Sequence, residues 1–408
     1  MLLRSSRRVG HAPETCAPAR MASCVTLAEA RGDLAAPPPA PQQLLQLRGV
    51  SLPQGTPAFA VGAVVRDAVV LQHADGAAAG AKCSAVETIF SVASISKLVL
   101  AVLTLQCAER GEISLDEDVN ARLPPGCCGA HPAHPGAAVT PRMLLQHRSG
   151  LWDDESALQP GQPYHTAGGD SPVSLAAYVA ERLGDPVPDL WMEEPPGEAD
   201  YHYSNAGMTL LGAFLEAACG RSVAALARER VFAPLGMSRS AFTLAELPGG
   251  SRIAEPHGAY GKPLGLYGVA EYPAAGLRST VHDLLLFAAQ FTAQPGNTTL
   301  LRAASREAML PPDYEGGLAW WGLDASHGAN CAGVWLHGGF MPGIRSHIYL
   351  WPRQRTALVC MQNGEGDYKH VVKAAKQAII DAEYVLDPTG ELALHELGEI
   401  GDDDDDDF

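Results

Sequence analysis

The stretch Phe90-Ser-Val-Ala-Ser-Ile-Ser-Lys-Leu-Val-Leu100 places Ser94 three residues before Lys97 and directly ahead of an apolar run. The run from Leu98 to Leu105 predicts a helix with Ser94 at its N-terminus, where residues i and i+3 share a face. A serine hydroxyl becomes a good nucleophile only when a neighbouring base takes its proton, and a lysine can be that base when burial lowers its pKa. The pair therefore predicts a nucleophile and its base, although a solvated helix lysine would show the same spacing.

Lys97 differs from the other lysines of the chain. Of the six, at positions 82, 97, 262, 369, 373 and 376, only Lys97 has a serine three positions before it. It also adjoins the apolar run, and a charge in that position is either badly buried or present for a purpose. We therefore take Ser94 and Lys97 as candidate catalytic residues.

The composition is that of a large globular protein with an acidic surface. The chain has 408 residues, of which 47% are hydrophobic and 18% charged, enough for a large core in two or three structural units. The net charge is −17, of which the six aspartates of 402–407 contribute six units and the remainder −11. This balance argues against nucleic acid or anionic membrane as partners, and the apolar runs are too short to predict a transmembrane segment.

The two ends of the chain are predicted to lie outside the folded domain. Residues 1–45 are predicted to be a disordered or targeting segment, 46–390 the domain, and 391–408 an acidic disordered tail. The first twenty residues contain one acid, Glu14, and four basic residues, Arg4, Arg7, Arg8 and Arg20. With no sustained apolar stretch, this pattern argues against a secretory signal and is compatible with an organelle transit peptide, so we expect a cytoplasmic or organellar protein.

The nine cysteines are an odd number spread thinly over the chain, which argues against a disulfide framework. Cys127, Cys128, His131 and His134 offer zinc-ligating side chains. Adjacent cysteines lack the usual gap between zinc ligands, and the surrounding Pro and Gly residues predict a turn-rich loop. We therefore predict neither a metal site nor a cofactor.

β-type patterns occur at both ends of the chain, at 58–65, 68–72, 334–337, 345–351 and 356–361. Arg66 and Asp67 separate the first two runs and suit a hairpin turn. Helical patterns occupy 94–110, 141–147, 175–183, 205–218, 222–231, 281–291 and 368–384. The pattern predicts an α/β (α+β) fold, in which N- and C-terminal strands form an antiparallel sheet flanked by helices. An all-helical subdomain is inserted at about 115–256, with a ligand cleft between it and the sheet.

A second candidate motif, Tyr203-Ser-Asn205, precedes the predicted helix at 205–218. A tyrosine on a loop before a helix can point its phenol into a cleft, and a neighbouring lysine can lower its pKa enough for proton transfer. Asn205 could bond a substrate carbonyl or the lysine. Taken alone, the segment is more typical of a helix capped by Ser204 or Asn205 beside a core tyrosine.

A third candidate motif, His337-Gly-Gly339, ends a predicted strand and is followed by Phe340. Consecutive glycines let a ligand approach the backbone closely, and an edge strand would offer free N–H groups to an oxyanion. An ordinary turn with a solvated histidine would give the same pattern.

The three motifs in this order resemble those of the serine beta-lactamase and penicillin-binding-protein-like superfamily. The similarity is to the branch with class C beta-lactamases, family VIII esterases, D-aminopeptidases and LACTB-like proteins. The family's Ser-x-x-Lys, Tyr-x-Asn and Lys/His-x-Gly elements correspond to Ser94/Lys97, Tyr203/Asn205 and His337/Gly339. Three further segments resemble those of the family, at 140–151, 234–237 and 273–280. No Gly-x-Ser-x-Gly elbow occurs, which argues against an alpha/beta-hydrolase.

The resemblance implies that Ser94 attacks an acyl carbonyl and forms an acyl-enzyme, with Lys97 and Tyr203 as proton carriers. The oxyanion donors would be the backbone N–H groups of Ser94 and Phe340, and Asn205 would position the substrate together with the His337/Gly339 strand. Beta-lactam-handling members commonly carry lysine where His337 stands, and a histidine is mostly neutral at pH 7. We therefore expect ester or amide hydrolysis rather than beta-lactam resistance, unless Arg345 restores the missing cation.

The expected substrate is a small ester, amide or peptide, and the sequence leaves open whether the chain forms an oligomer. A D-aminopeptidase, carboxypeptidase or beta-lactamase activity is the nearest alternative. A non-catalytic, self-assembling scaffold of the same fold is the alternative from a different class, since fold does not fix function.

Overall fold

The computed structural model describes residues 44–47, 49–153, 159–184, 190–294, 298–312, 316–323 and 333–397. The strands are β1 (Ala58–Val65), β2 (Ala68–Ala78), β3 (Ala81–Lys82), β4 (Thr88–Ser91), β5 (His165–Ala167), β6 (Arg252–Ile253), β7 (His257–Gly258), β8 (Lys262–Pro263), β9 (Tyr267–Val269), β10 (Arg278–Ser279), β11 (Trp321–Leu323), β12 (Val334–Met341), β13 (Ile344–Trp351) and β14 (Thr356–Gln362). The helices are α1 (Ser96–Glu109), α2 (Pro141–Leu145), α3 (Leu175–Arg182), α4 (Asn205–Cys219), α5 (Val223–Ala227), α6 (Ala233–Leu235), α7 (Tyr272–Ala275), α8 (Val281–Thr292), α9 (Ala303–Met309), α10 (Lys369–Asp381) and α11 (Glu383–Leu386).

Strands from both ends of the chain form one seven-stranded sheet, in the order β11-β12-β13-β14-β1-β2-β3. All neighbouring strands in it are antiparallel. Arg66 and Asp67 both have positive φ, which is the backbone conformation that a two-residue hairpin turn of type I′ requires. The predicted hairpin and the predicted α/β fold class are therefore confirmed.

The sheet separates two cores because successive side chains of a strand point to opposite faces. Ala58, Ala60 and Val64 of β1 lie in the core that contains α1, α4 and α8. Phe59 and Val61 lie in the second core, against α10. Helix α1 is buried from Ser96 to Cys107, so it lies inside the larger core rather than on its surface.

The predicted strand that carries His337 is not at the edge of the sheet, because β11 lies outside it. Within the described part of the chain, β11 pairs with Val334–Leu336 of β12 and no further along that strand. The part of β12 from His337 onward, which includes Gly339, therefore extends past the residues that pair with β11. The sequence predicted a sheet edge at this part of the strand.

Several predicted boundaries are corrected by the structure. Ser94 lies in a 3₁₀ turn, Ala93–Ile95, and the α-helix begins two residues later. The helix predicted at 222–231 continues from α5 as a π-helical segment, Arg228–Phe232. The region 115–256 is not all-helical, because it contains β5, which pairs with β9.

The domain also extends past the predicted boundary at residue 390. Leu392, Leu394 and Leu397 are buried in the second core, so their apolar side chains belong to the folded domain and not to a solvated tail. The aspartate run and the residues before 44 lie outside the described part of the chain.

Among the described residues, no single helix is both long enough and apolar enough to cross a membrane. One bent pair, formed by α4 and the helical residues 223–235, meets the length and composition criteria jointly.

Candidate active site

Ser94 and Lys97 lie side by side at the N-terminal end of α1. The Lys97 Nζ donates hydrogen bonds to Ser94 Oγ at 3.0 Å, to Asn205 Oδ1 at 2.5 Å and to the backbone oxygen of Ala274 at 3.1 Å. Ala93, immediately before Ser94, has a φ of +45°, which is uncommon for a residue with a Cβ and typical of strained turns at active sites.

Burial changes the acid–base behaviour of Lys97. Its side chain has no solvent exposure, and this desolvation lowers its pKa from 10.5 to about 7, against the opposing charges of Asp153 and Glu271. A neutral amine keeps two N–H bonds, enough for Asn205 Oδ1 and the Ala274 carbonyl. Its lone pair is then available to the proton of Ser94.

Tyr203 approaches the same two groups from the loop before α4. Its ring centroid lies 4.6 Å from Lys97 Nζ, and its phenol lies near enough to the Ser94 hydroxyl to interact with it. The expectation that a neighbouring lysine lowers the pKa of Tyr203 is wrong, because burial raises that pKa well above 10. Tyr203 is therefore a protonated phenol at neutral pH, suited to donating a proton, and Lys97 is the better base.

Asp153 holds the start of α4, a role that no sequence motif indicated. Its carboxylate accepts hydrogen bonds from the backbone N–H groups of Asn205 and Ala206 and from Ser204 Oγ, at 2.6, 3.0 and 3.2 Å. It also accepts from Asn205 Nδ2 at 2.5 Å. Because the Asn205 amide nitrogen is thus occupied, its oxygen is directed at Lys97. In the sequence Asp153 stands in an acidic run and has no distinguishing spacing.

Glu271 is a second carboxylate that the sequence did not reveal as part of the site. It is buried, accepts a hydrogen bond from the Tyr178 hydroxyl, and directly precedes α7, whose Ala274 carbonyl receives Lys97. Desolvation raises the pKa of Glu271 to about 7. Its charge in turn favours the protonated form of Lys97.

His337 is fully buried on β12. Its Nδ1 lies 2.6 Å from the Ala319 carbonyl oxygen, which can only accept, so Nδ1 carries the proton. Its ring stacks on Trp321 at 4.3 Å. Burial, with a further contribution from the charge of Lys97, lowers the pKa of His337 well below 6.5. The imidazole is therefore neutral, as we expected for a histidine at the position where beta-lactam-handling members commonly carry lysine.

Gly339 brings the backbone of β12 against the Ser94 turn. A Cβ at position 339 would lie 2.3 Å from the Val92 carbonyl oxygen, 2.4 Å from Ser346 Oγ and 3.2 Å from the Ser94 nitrogen. No side chain other than hydrogen fits this gap. Gly339 and the Ser94 nitrogen are therefore close neighbours. The family resemblance assigns the N–H groups of Ser94 and of the next residue, Phe340, to the oxyanion.

Arg345 lies opposite Phe340 in the register of β12 and β13, with its guanidinium 5.0 Å from the Phe340 ring centroid. The guanidinium donates to the backbone oxygens of Met341 and Ile344. In this conformation Arg345 supports the turn between the two strands rather than extending a free cation toward Ser94.

Aromatic side chains form one wall of the site. Trp321 on β11 lies against Tyr203, with ring centroids 5.7 Å apart, and donates its Nε1–H to the hydroxyl of the exposed Tyr201 at 2.7 Å. The buried His147 ring lies 4.6 Å from that of Tyr203. An aromatic wall of this kind is typical of sites that bind apolar parts of a ligand.

Three of the side chains considered above as zinc ligands form hydrogen bonds with separate backbone groups. His131 Nε2 meets the Met192 carbonyl oxygen at 2.7 Å, and His134 Nε2 that of Glu193 at 3.1 Å. Cys127 Sγ donates to the Ala176 carbonyl at 3.2 Å. These contacts explain the segment as a hydrogen-bonded loop.

A family model described as Beta-lactamase matches residues 42–382. The chain belongs to the beta-lactamase family. It is 28% identical to penicillin-binding protein 4 of Amycolatopsis lactamdurans over 296 residues, 68% of this chain and 73% of that protein. It is 32% identical to the esterase EstB of Burkholderia gladioli over 166 residues, 39% of this chain and 40% of that esterase. The predicted family resemblance is confirmed.

A solved structure supports the fold. The octameric penicillin-binding protein homologue from Pyrococcus abyssi matches with a TM-score of 0.64 and 20% identity, covering 80% of this chain and 74% of that one. Together these similarities place the chain in a family of serine hydrolases. They leave its substrate and mechanism to be argued from its own residues.

Replacing Gly339 with alanine should reduce kcat by about 10²–10³, the cost of losing one well-placed oxyanion donor. The added Cβ meets the fixed carbonyl of Val92, so β12 must move away from the Ser94 turn. Hydrolysis of an activated ester by folded Gly339→Ala protein measures the effect. Gly136→Ala is the matched control, because a Cβ there enters open space. Wild-type kcat in Gly339→Ala would show that the close approach is not needed.

Proposed function

We propose that the chain is a serine hydrolase that cleaves a small ester, or an amide, through an acyl-enzyme at Ser94. The observation that carries the proposal is the fully buried Lys97 amine, 3.0 Å from Ser94 Oγ, with its pKa lowered to about 7. A group with this pKa can accept the serine proton at neutral pH and return it afterwards. A lysine serving only as a surface charge would keep its ordinary pKa.

In the acylation step Ser94 Oγ attacks the acyl carbonyl while its proton moves to Lys97. The Tyr203 phenol gives its proton to the leaving oxygen or nitrogen and recovers one from Lys97, so the site returns to its starting protonation state. The N–H groups of Ser94 and Phe340 stabilise the oxyanion. In the second step water attacks the acyl-enzyme and loses a proton to the Lys97 and Tyr203 pair. The same pair returns a proton to Ser94 Oγ as the acyl group leaves.

The charges of the site favour a substrate without a carboxylate next to the reacting bond. His337 is neutral, and Arg345 is bonded to the carbonyls of its own turn. A neutral ester or amide therefore loses less on entering the site than a beta-lactam would, since the beta-lactam carboxylate needs a cationic partner when it is desolvated. The esterase relative supports the same order of preference.

A fluorophosphonate probe tests the proposal directly. Incubation of the full chain should give one covalent adduct, located by peptide mass spectrometry on Ser94, because the probe phosphonylates serines whose proton is taken by a base. Ser84→Ala, which removes a half-buried serine outside the site, should label like the unmodified protein.

Labelling at another residue would contradict the assignment of Ser94. A folded chain that stays unlabelled, shows no turnover of activated esters and forms concentration-dependent polymers would favour the scaffold alternative.

A further inference from the structure

Two cysteines lie together where α1 and α4 end, far along each helix from the proposed catalytic groups. Cys107 Sγ and Cys219 Sγ are 3.5 Å apart. Cys107 is fully buried, whereas Cys219, the last residue of α4, is partly exposed. The same two helices carry Lys97 and Asn205 near their other ends. The proposed hydrolysis makes no use of either thiol.

A partly buried ion pair adjoins the two sulfur atoms. Arg230 donates to both carboxylate oxygens of Glu112, at 2.8 and 3.0 Å, and its NH1 also donates to Cys107 Sγ at 3.3 Å. Glu112 Oε2 lies 3.8 Å from Cys219 Sγ. A guanidinium beside a thiol pair stabilises a thiolate, which is the reactive form of cysteine.

The two thiols differ in reactivity. The hydrogen bond between the two sulfurs lowers the pKa of Cys219, whereas that same bond and burial raise the pKa of Cys107. Cys219 is also the more exposed of the two. Exposure therefore makes Cys219 the sulfur that meets an external oxidant first, and the buried Cys107 the resolving one.

A metal ion is the competing use of the same groups. The two sulfurs and a Glu112 oxygen lie within 4.8 Å of one another, close enough to share one ion. Arg230, however, already neutralises Glu112 and touches Cys107, so a metal cation would have to displace a guanidinium held by three hydrogen bonds. The arrangement therefore suits oxidation of the thiols better than coordination.

We propose that Cys107 and Cys219 form a reversible disulfide that joins the ends of α1 and α4. With a low-molecular-weight disulfide RSSR as oxidant, the Cys219 thiolate attacks one sulfur and releases one RSH, leaving a mixed disulfide. Cys107 then gives up its proton and attacks Cys219 Sγ, which releases the second RSH. Two thiols and RSSR thus give one protein disulfide and two RSH, and a reducing dithiol reverses the step.

The bond would close a long loop, because the two cysteines are 112 positions apart. Cross-links that close long loops remove more conformational entropy from the unfolded chain than those that close short ones. We therefore expect the oxidised protein to unfold at a higher temperature than the reduced protein, by several degrees.

Reduced full-length protein treated with glutathione disulfide, alkylated and digested without reductant tests the proposal. Mass spectrometry should show a linked peptide pair containing Cys107 and Cys219, two hydrogens lighter than the free thiols, and dithiothreitol should abolish both the link and the rise in Tm. Cys107→Ser should trap a glutathione adduct on Cys219, because the resolving thiol is gone. Cys128→Ser, a partly exposed cysteine outside the pair, should keep the link and the Tm shift.

Two results would overturn the proposal. One is full alkylation of both thiols in folded protein after oxidation. The other is binding of one equivalent of Zn²⁺ that protects both thiols from glutathione disulfide and is lost in both Cys107→Ser and Cys219→Ser, which would make the cluster a metal site. Neither readout depends on hydrolysis at Ser94, so the two proposals fail separately.

Discussion

Replacing Ser94 with alanine should lower kcat for an activated ester by about 10⁶, to the level of the remaining binding groups, because no atom is left to form the acyl-enzyme. The change removes a small, nearly buried hydroxyl that accepts a hydrogen bond from Lys97. The backbone N–H of residue 94 stays in place, so substrate binding should change much less than kcat. Steady-state hydrolysis measured with a chromogenic ester gives both parameters.

The control is another serine in the same part of the chain. Ser84→Ala removes a hydroxyl that caps the turn before β4 and should leave kcat within a few fold of the unmodified protein. An unfolded Ser94→Ala protein would make the loss uninformative, so equal circular dichroism and Tm are required. Undiminished turnover in folded Ser94→Ala protein would refute the acyl-enzyme proposal.

The sheet and the helices that hold the site could be predicted because their signals are local. Arg66 and Asp67 mark a turn between two alternating runs, and Thr140 and Thr280 cap helices close to where the sequence placed them. The exact start of the first helix could not be predicted. The positive φ of Ala93 occurs where β12 packs against the Ser94 turn, and that contact joins residues far apart in the sequence.

The sequence predicted only those site residues that belong to the three short motifs. Ser94, Lys97, Tyr203 and Asn205 lie together in the structure, and Gly339 reaches them from the sheet. Asp153 and Glu271 were missed because each acts through contacts with distant segments and has no spacing of its own.

The protonation states of the site residues were the hardest feature to predict from the sequence. The pKa of Tyr203 moves in the direction opposite to that predicted, since burial raises it and the carboxylates of Asp153 and Glu271 add to the rise. Whether a side chain is desolvated depends on the packing around it, which a short motif does not specify.

Replacing Lys97 with methionine should lower kcat/KM for the same ester by about 10²–10⁴, the usual contribution of a general base. In the unmodified protein the rate should rise as the pH increases through about 7 and then level off. The reason is that the protonated amine cannot accept the Ser94 proton, and its pKa is lowered to about 7 by burial. This rising limb should be absent in Lys97→Met. Lys82→Met, at an exposed lysine of β3, should keep both rate and profile.

Glu271 complicates the assignment of this limb, because burial raises its own pKa to about 7 as well. Glu271→Gln separates the two groups. The carboxylate favours the protonated form of Lys97, so removing that charge should lower the pKa of Lys97 and move the limb to lower pH without abolishing it. The amide oxygen introduced by this substitution can still accept the Tyr178 hydrogen bond. A limb that disappears in Glu271→Gln and persists in Lys97→Met would make the carboxylate, and not the lysine, the group whose deprotonation limits hydrolysis.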